Sequence, residues 1–350
     1  MPLDTPVQTS EFEFDLPQDL IAQQPVEPRD RARLMVFHKS TGRIEHRTFA
    51  DLPELLDPGD LLIRNNSRVL PARLLGEREA TGGKWEGLYI ASRGENLWEL
   101  LATTRGRPQP GELIRIADGF QLELIEKGVE GRWFVRPRPG GSALDLLTRF
   151  GQIPLPPYIR KGRADQEDQT DYQTTYAAVP GSVAAPTAGL HFTPGLFERL
   201  EKRGVIVADV TLHVGIGTFR PIETESIEAH TMHSEWAEVP QETAAAWARA
   251  KAAGRRIVAV GTTSARTLET VATAGQGHLN AWRGETNIYI RPGHVFRGFD
   301  TLITNFHLPR SSLLVLVSAL AGVERTRAAY AEAIAQSYRF YSYGDAMLIL

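Results

Sequence analysis

Polar, reactive side chains crowd among glycines and prolines in three stretches of this chain: Ala184-Ala-Pro-Thr187-Ala-Gly-Leu-His191-Phe-Thr193, Thr211-Leu-His213-Val-Gly-Ile-Gly-Thr-Phe219 and His230-Thr-Met-His233-Ser-Glu235. Such segments make poor helix and worse core, so their density marks a site. Imidazole titrates near neutrality, which suits general acid–base work, and a carboxylate such as Glu235 can orient a ring. His230, His233 and Glu235 also invite a metal, because imidazole and carboxylate ligate zinc. Their spacing is not the i, i+4 helical pair of metalloproteases and brings no clear third ligand, so acid–base or hydrogen-bonding work is expected instead. His191 and His213 adjoin Gly189, Gly215 and Gly217, and glycine suits close approach of backbone to a ligand. Two more motifs fall where strands hand over to helices. Gly261-Thr262-Thr263-Ser264 offers amides and hydroxyls to an anion such as a carboxylate, with Arg266 in the next turn. Thr304-Asn305-Phe-His307-Leu-Pro309 leaves Asn305 and His307 at the rim of a sheet.

The elements that must position these groups form an α/β pattern. Thr193 is the expected N-cap of a helix with Pro194 at its first position, running to Arg203 and closed by Gly204, and Val205 to Leu212 follows as a buried strand. A helix from Glu242 to Ala253, a strand from Ile257 to Val260, a turn over Gly261 to Ser264 and a helix from Ala265 to Thr273 repeat the alternation. Strands are expected at Thr286 to Ile290, Thr301 to Asn305 and Met347 to Leu350, and helices at Ser312 to Ala321 and Arg325 to Ser337. Ahead of these lie a helix around Leu16 to Gln23 and strands at Arg33 to Phe37 and Asp60 to Asn65. Between Val69 and Gln152 short alternating segments broken by glycine predict a small all-β, barrel-like unit. The expected fold is therefore α/β: a mixed, largely parallel sheet with covering helices, plus an inserted small β-barrel. Residues 1–68 with 153–350 form one discontinuous catalytic domain, and 69–152 the insert.

Composition narrows the classes. Of 350 residues, 42% are hydrophobic and 23% charged, ordinary for a globular protein, and no apolar run reaches the ~18 residues that span a bilayer. Met1 to Asp15 lacks the basic and apolar segments of a secretory signal, so a cytoplasmic location is expected. The absence of cysteine excludes disulfides, thiolate nucleophiles and cysteine-ligated metals. With 39 basic against 42 acidic residues there is no global cationic field. Local basic runs exist at Arg29-Asp-Arg31-Ala-Arg33 and Tyr158-Ile-Arg160-Lys161-Gly-Arg163. Gly215-Ile-Gly217 lacks the third glycine of a dinucleotide fingerprint, and neither a Walker-type loop nor Gly-x-Ser-x-Gly occurs. The tail Tyr338-Arg339-Phe-Tyr341-Ser-Tyr343-Gly-Asp345 is either an aromatic cap on the core or a stacking wall for a purine or an unpaired base.

These motifs together resemble, almost end to end, the S-adenosylmethionine:tRNA ribosyltransferase-isomerases of queuosine biosynthesis. The resemblance rests on Phe14-Asp-Leu-Pro17 with Leu20 to Gln23, Asn65 to Leu74, Ile153 to Ile159, Ser182 to Thr193, Leu212 to Phe219, His230 to Glu235, Gly261 to Glu269, Thr304 to Leu308 and Tyr338 to Asp345. Phe14 stands where the family often has Tyr, and Arg310-Ser311-Ser312 replaces a Lys-Ser-Thr run. The resemblance implies transfer of the ribosyl part of S-adenosylmethionine to 7-aminomethyl-7-deazaguanine at the wobble position of a tRNA, with epoxyqueuosine-tRNA, adenine and methionine as products. It implies no metal and no cofactor beyond S-adenosylmethionine as co-substrate, no membrane, no obligate protein partner and a monomer. In the family's proposed route a base takes a proton beside the sulfonium, adenine leaves, the substrate amine attacks, and epoxide closure expels methionine. On that basis His191 or His213 is the base, and His233, oriented by Glu235, the acid at adenine. The turn containing Thr262 and Thr263, with Arg266, is assigned to the methionine carboxylate. Thr187, His230, Asn305, His307, Arg339, Tyr343 and Asp345 are expected to complete the substrate site, and Tyr158, Arg160, Lys161 and Arg163, with the barrel, to grip RNA. Two rivals are a metal-dependent hydrolase built on His230, His233 and Glu235, and a non-catalytic RNA-binding module.

Overall fold

The computed structural model describes residues 7–215, 217 and 221–350. Residues 1–6, 216 and 218–220 lie outside the described residues, and with them parts of the amino-terminal segment and of the second histidine motif.

Along the chain, β1 (Arg33–Phe37) and β2 (Ile44–Thr48) pair antiparallel, and α1 (Leu52–Leu55) leads to β3 (Leu61–Asn65) and β4 (Ser67–Val69). Next come β5 (Arg73–Arg78), β6 (Lys84–Ser92), β7 (Trp98–Thr104), β8 (Leu113–Ala117), β9 (Phe120–Lys127) and β10 (Arg132–Arg138), which close into a barrel in the order β10-β7-β6-β5-β8-β9. α2 (Ala143–Phe150) lies against its core, with Phe150 stacked on Phe120 at 4.5 Å between ring centroids. α3 (Asp168–Asp171) and β11 (Val179–Ser182) follow, β11 pairing with β4. The chain then runs through α4 (Pro194–Arg203), β12 (Ile206–Leu212), β13 (Glu235–Val239), α5 (Gln241–Ala252), β14 (Ile257–Val260), α6 (Gly261–Ala274), β15 (Trp282–Thr286), β16 (Thr301–Asn305), α7 (Ser312–Ala321), α8 (Val323–Ala335) and β17 (Ala346–Ile349).

Nine of these strands make one sheet in the order β15-β13-β12-β3-β14-β16-β17-β1-β2. Its centre, β12-β3-β14-β16, is parallel, β17 also pairs parallel with β1, and the remaining pairings are antiparallel. The fold class is as expected: a mixed sheet with covering helices, and a closed barrel beside it. Strand alternation divides the core in two. Met35, Leu61, Ile63, Ile257, Ala259 and Leu302 face α5 to α8, whereas Leu34, Leu62, Val258, Val260 and Ile303 face Phe192 and the apolar side of α4. A sheet covered on both faces needs near-continuous apolar strands, and Ile257-Val-Ala-Val260 is buried throughout.

Local signals set several boundaries. Thr193 Oγ1 accepts from Leu196 N–H, Pro194 occupies the first helical position, and Gly204 closes α4 in the left-handed conformation. Other expectations are corrected. Leu16 to Gln23 is no helix: it holds a single 3-10 turn at Gln18–Leu20 behind Pro17, and Ile21 bridges to Phe340, so tertiary pairing overrides the apolar spacing. The strand expected at Thr286 to Ile290 lies one segment earlier, at Trp282–Thr286, where pairing with β13 is available. Nor is Gly261 to Ser264 a separate turn. α6 begins at Gly261 itself, whose φ of +83° lets the chain pass from strand to helix within one residue.

Phe306, wholly buried, sits 5.1 to 5.4 Å from the rings of Tyr330, Tyr338 and Phe340 and holds the loop after β16 in place. Phe306→Ala is expected to lower unfolding stability by about 3–5 kcal/mol, read from the midpoint of urea denaturation.

Candidate active site

The carboxyl ends of the neighbouring parallel strands β14 and β16 open on one small cavity. Thr262 and Thr263 from the first turn of α6, Asn305 and His307 from the end of β16 and its loop, Val214 beyond β12, and Thr187 line it. Thr187 begins a 3-10 turn, Thr187–His191, which packs on β16. The interior space is about 30 Å³. A second hollow shares Thr187, Asn305 and His307 with the first and runs on to Tyr158, Tyr341 and Ser342. The rings of Tyr158 and Tyr341 lie 4.7 Å apart there, and Tyr158 Oη is 2.8 Å from Ser342 Oγ. A larger groove, about 680 Å³, lies elsewhere, on the barrel, and none of the motif residues line it. Thr187, Thr262, Thr263, Asn305 and His307 converge on the smaller cavity, whereas His191, His213, His233 and Glu235 line neither it nor the second hollow.

The hydrogen bonds separate working groups from structural ones. Asn305 Nδ2 donates to Tyr341 O at 3.1 Å and lies 3.2 Å from His191 Nε2, whereas Asn305 Oδ1 and Thr263 Oγ1 are buried without a partner. Ser264 Oγ donates to Val260 O and Thr267 Oγ1 to Thr263 O, so these hydroxyls serve the helix and not an anion. His307 Nε2 is 2.6 Å from Thr304 Oγ1, and the backbone N–H of His307 donates to Tyr330 Oη. Glu269 is a clamp: it accepts from Arg297 N–H and Gly298 N–H and meets His294, tying α6 to the segment ahead of β16.

The histidines fall into three environments. Burial holds His191 down to about 3, helped by the positive Arg339 and Arg29, and burial alone holds His307 down to about 3. His213 is half-buried and lowered by burial, its Nδ1 2.8 Å from Ser67 Oγ and its ring stacked on Trp236 at 5.0 Å. His230, lowered by burial and then by His233, packs edge-on against Tyr289, and His233 is exposed. Glu235 accepts from Gly215 N–H at 2.8 Å and forms a buried ion pair with Arg266, so its carboxylate fastens β13 to α6. Arg266 is not among the cavity-lining residues, although its Nε and Nη2 are buried without partners. Two of the glycines next to the histidines are needed by the protein's own side chains, whereas a Cβ on Gly215 would make only ordinary contact with Glu235. A Cβ on Gly189 would strike Tyr176 Oη, and one on Gly217 the ring of His233.

Most of the tail is structural. Asp345 accepts from the N–H groups of Arg33 and Arg339, the Arg339 guanidinium donates to Gln24 O and Tyr343 O, and Tyr343 Oη donates to Asp168. Arg160 is bound to the same Asp168 and to Gln23 O. Lys161 and Arg163 are exposed, while Tyr158 turns inward to the second hollow. Tyr341, Val214 and Ser67 enter the site without having been singled out as site residues. Only the position of Tyr341 in an aromatic tail signalled it. Among the described residues no group of three or more His, Asp or Glu is placed to hold a metal ion.

A model of the family described as queuosine biosynthesis protein matches residues 9–349. A protein of Desulfitobacterium hafniense named S-adenosylmethionine:tRNA ribosyltransferase-isomerase is 51% identical over 341 residues, covering 97% of this chain and 99% of that one. One of the same name from Symbiobacterium thermophilum is 52% identical over 342 residues with the same coverage. The crystal structure of an S-adenosylmethionine tRNA ribosyltransferase from Thermotoga maritima covers 97% of this chain and 100% of its own, at 38% identity and a TM-score of 0.56.

His191 and His307 give stability a defined acid limb. Their native pKa values lie near 3 against an ordinary 6.5, so between those limits the unfolded chain binds protons that the native one does not. Their contribution is complete above pH 6.5 and falls with pH by about 1.4 kcal/mol per unit for each. Denaturation midpoints measured from pH 7 to pH 4 are expected to fall on this slope, and His307→Gln to flatten it.

Proposed function

We infer the reaction from one premise, that the chain belongs to the queuosine biosynthesis protein family, and it carries out the reaction for which its relatives are named. The ribosyl moiety of S-adenosylmethionine is transferred to 7-aminomethyl-7-deazaguanine at the tRNA wobble position and isomerised, giving epoxyqueuosine-tRNA, adenine and methionine. One observation carries the placement of this chemistry: Thr187, Thr262, Thr263, Asn305 and His307, from three separate segments, line a single cavity at the start of a helix.

In this proposal the cavity takes the amino-acid end of S-adenosylmethionine, with its carboxylate on the unpaired N–H groups of α6. The nucleoside extends along the adjoining hollow, with Tyr158 and Tyr341 as its aromatic wall. Two proton transfers are required, one beside the sulfonium and one at the departing adenine, each contributing about 10²- to 10⁴-fold. His213 is the better base of the two candidates. It is half-exposed, burial favours its neutral form, and with Nδ1–H turned to Ser67 the lone pair lies on Nε2, on the ring edge packed against Gly181. His191 has its Nε2 engaged by Asn305. His233 keeps the acid role, while Glu235 holds β13 against α6. The metal-hydrolase alternative is weakened by that commitment of Glu235 to Arg266.

Exposed cations on the barrel and on the loop after Ile159 support the RNA grip. Lys161 and Arg163 project from the loop, and Lys84 and Arg105 line the barrel groove, where Glu77, paired with Arg115, and Glu86 and Asp118 offset their charge. An anticodon loop is largely single-stranded, so stacking and hydrogen bonds can do much of the recognition without a strongly basic protein. Residues 69–152 are proposed as a separate inserted domain, since their core cluster is built on the six barrel strands. We further propose a cytoplasmic monomer without metal or obligate protein partner. Among the described residues no helix is long and apolar enough to cross a membrane.

Chromatography of reactions containing S-adenosylmethionine and tRNA, with or without the 7-aminomethyl-7-deazaguanine base, tests the reaction. Adenine is expected only with the modified tRNA, and tight tRNA binding without adenine would establish the binding-module alternative. Removing Lys161 and Arg163 together is expected to weaken tRNA binding and lower the salt slope of log K by about one for each phosphate that the protein no longer neutralises. A salt-insensitive affinity would end the electrostatic part of the proposal.

A further inference from the structure

On the reading that the cavity takes the amino-acid end of S-adenosylmethionine, we propose that Asn305 Oδ1 accepts from the ligand's amino group. His191 is then a positioning residue that holds the carboxamide in that orientation. The orientation is dictated by a neighbour with no alternative. Tyr341 O, 3.1 Å from Asn305 Nδ2, is a carbonyl and can only accept, so the amide nitrogen must face it. Turning the group over would set two carbonyl oxygens against each other. The same nitrogen's second hydrogen meets His191 Nε2 at 3.2 Å, which places a lone pair on that ring atom and the ring's proton on Nδ1. Oδ1 is left as an acceptor without a donor in a residue only 2% exposed at the wall of the cavity.

Two kinds of unsatisfied group therefore meet in one small space. The first N–H groups of α6 are donors and call for an anion, while Asn305 Oδ1 needs a donor and repels a carboxylate. Thr263 Oγ1, also buried without a partner, can serve either. A head group that carries a carboxylate and an ammonium on one carbon meets both demands at the wall of one cavity. His191 acts through Asn305. It is 4% exposed, its ring lies 4.9 Å from that of Phe49, and burial keeps it neutral. With its basic nitrogen engaged it does not touch the reacting atoms.

Calorimetric titration of the full-length protein with S-adenosylmethionine and with its deamino analogue, hydrogen replacing the amino group, separates the possibilities. The wild type is expected to bind the analogue about 10- to 100-fold more weakly, the loss of one charge-assisted hydrogen bond. Asn305→Leu is expected to bind the two ligands alike. His191→Leu should lose most of the discrimination, and His191→Gln, whose side-chain carbonyl can accept from the same amide, should recover much of it. In turnover, His191→Gln is expected to raise KM for S-adenosylmethionine more than it lowers kcat, and to keep the pH profile. Equal affinity of the wild type for the two ligands overturns the inference even if no variant folds. So does discrimination that survives in Asn305→Leu. Disappearance of a pH limb in His191→Gln would make His191 a proton carrier and overturn its positioning role. A wild type that binds no S-adenosylmethionine brings down the assignment of the cavity on which the inference rests.

Discussion

A buried polar atom left without a partner costs about 1–3 kcal/mol, so a folded chain retains few of them. Around the start of α6 this protein keeps two at one cavity wall, Thr263 Oγ1 and Asn305 Oδ1. They survive because the surrounding structure leaves no other choice. Asn305 is the last residue of β16, fully enclosed, with its nitrogen pinned by Tyr341 O and His191. Thr263 rides on a helix whose direction follows from β14 and the single turn at Gly261. The cavity's chemistry is thus a consequence of two parallel strands ending side by side inside a three-layer core.

Much of the remaining polar machinery serves to hold that junction still. Glu269 clamps α6 to the segment before β16 through two backbone N–H groups, and the Glu235–Arg266 pair ties the same helix to β13. A carboxylate pair of this kind is strongly destabilising to break singly and adds little net stability when intact. Its effect is to fix geometry. Asp345 does similar work at the other end, receiving the N–H groups of Arg33 and Arg339 and so locking the tail that carries Tyr341. Residue types that look reactive in the sequence are here divided between a few groups facing the cavity and a larger set that secures them.

The barrel relates to the site through sequence neighbours more than through shared core. Its interior is packed by Trp85, Trp98, Phe120, Trp133 and the aliphatic residues between them, with α2 against it. The chain leaves it at Gln152, which bridges to Arg73, and passes directly into the segment that delivers Tyr158 to the second hollow. The groove on this body, lined by Lys84, Arg105 and Arg115 and by Glu77, Glu86 and Asp118, thus lies close in sequence to the two tyrosines of the second hollow.

The sequence by itself determined what depends on neighbours along the chain. Thr193-Pro194 with Gly204 bounds α4, Ile257 to Val260 reads as a doubly covered strand, and alternation broken by glycine predicts the barrel. The family was legible as well, since its motifs are contiguous strings that survive on both sides of the insert. Tertiary structure alone decided partners. Leu16 to Gln23 carries apolar spacing yet pairs with Phe340. His191 looks like a base and is committed to Asn305, whereas His213, no different in its local string, pairs with Ser67 and packs against Trp236 and Gly181. The reason is physical: helix caps, strand periodicity and turns are set by interactions over a few residues. Which imidazole nitrogen is engaged, and by what, depends on atoms brought together from positions more than a hundred residues apart.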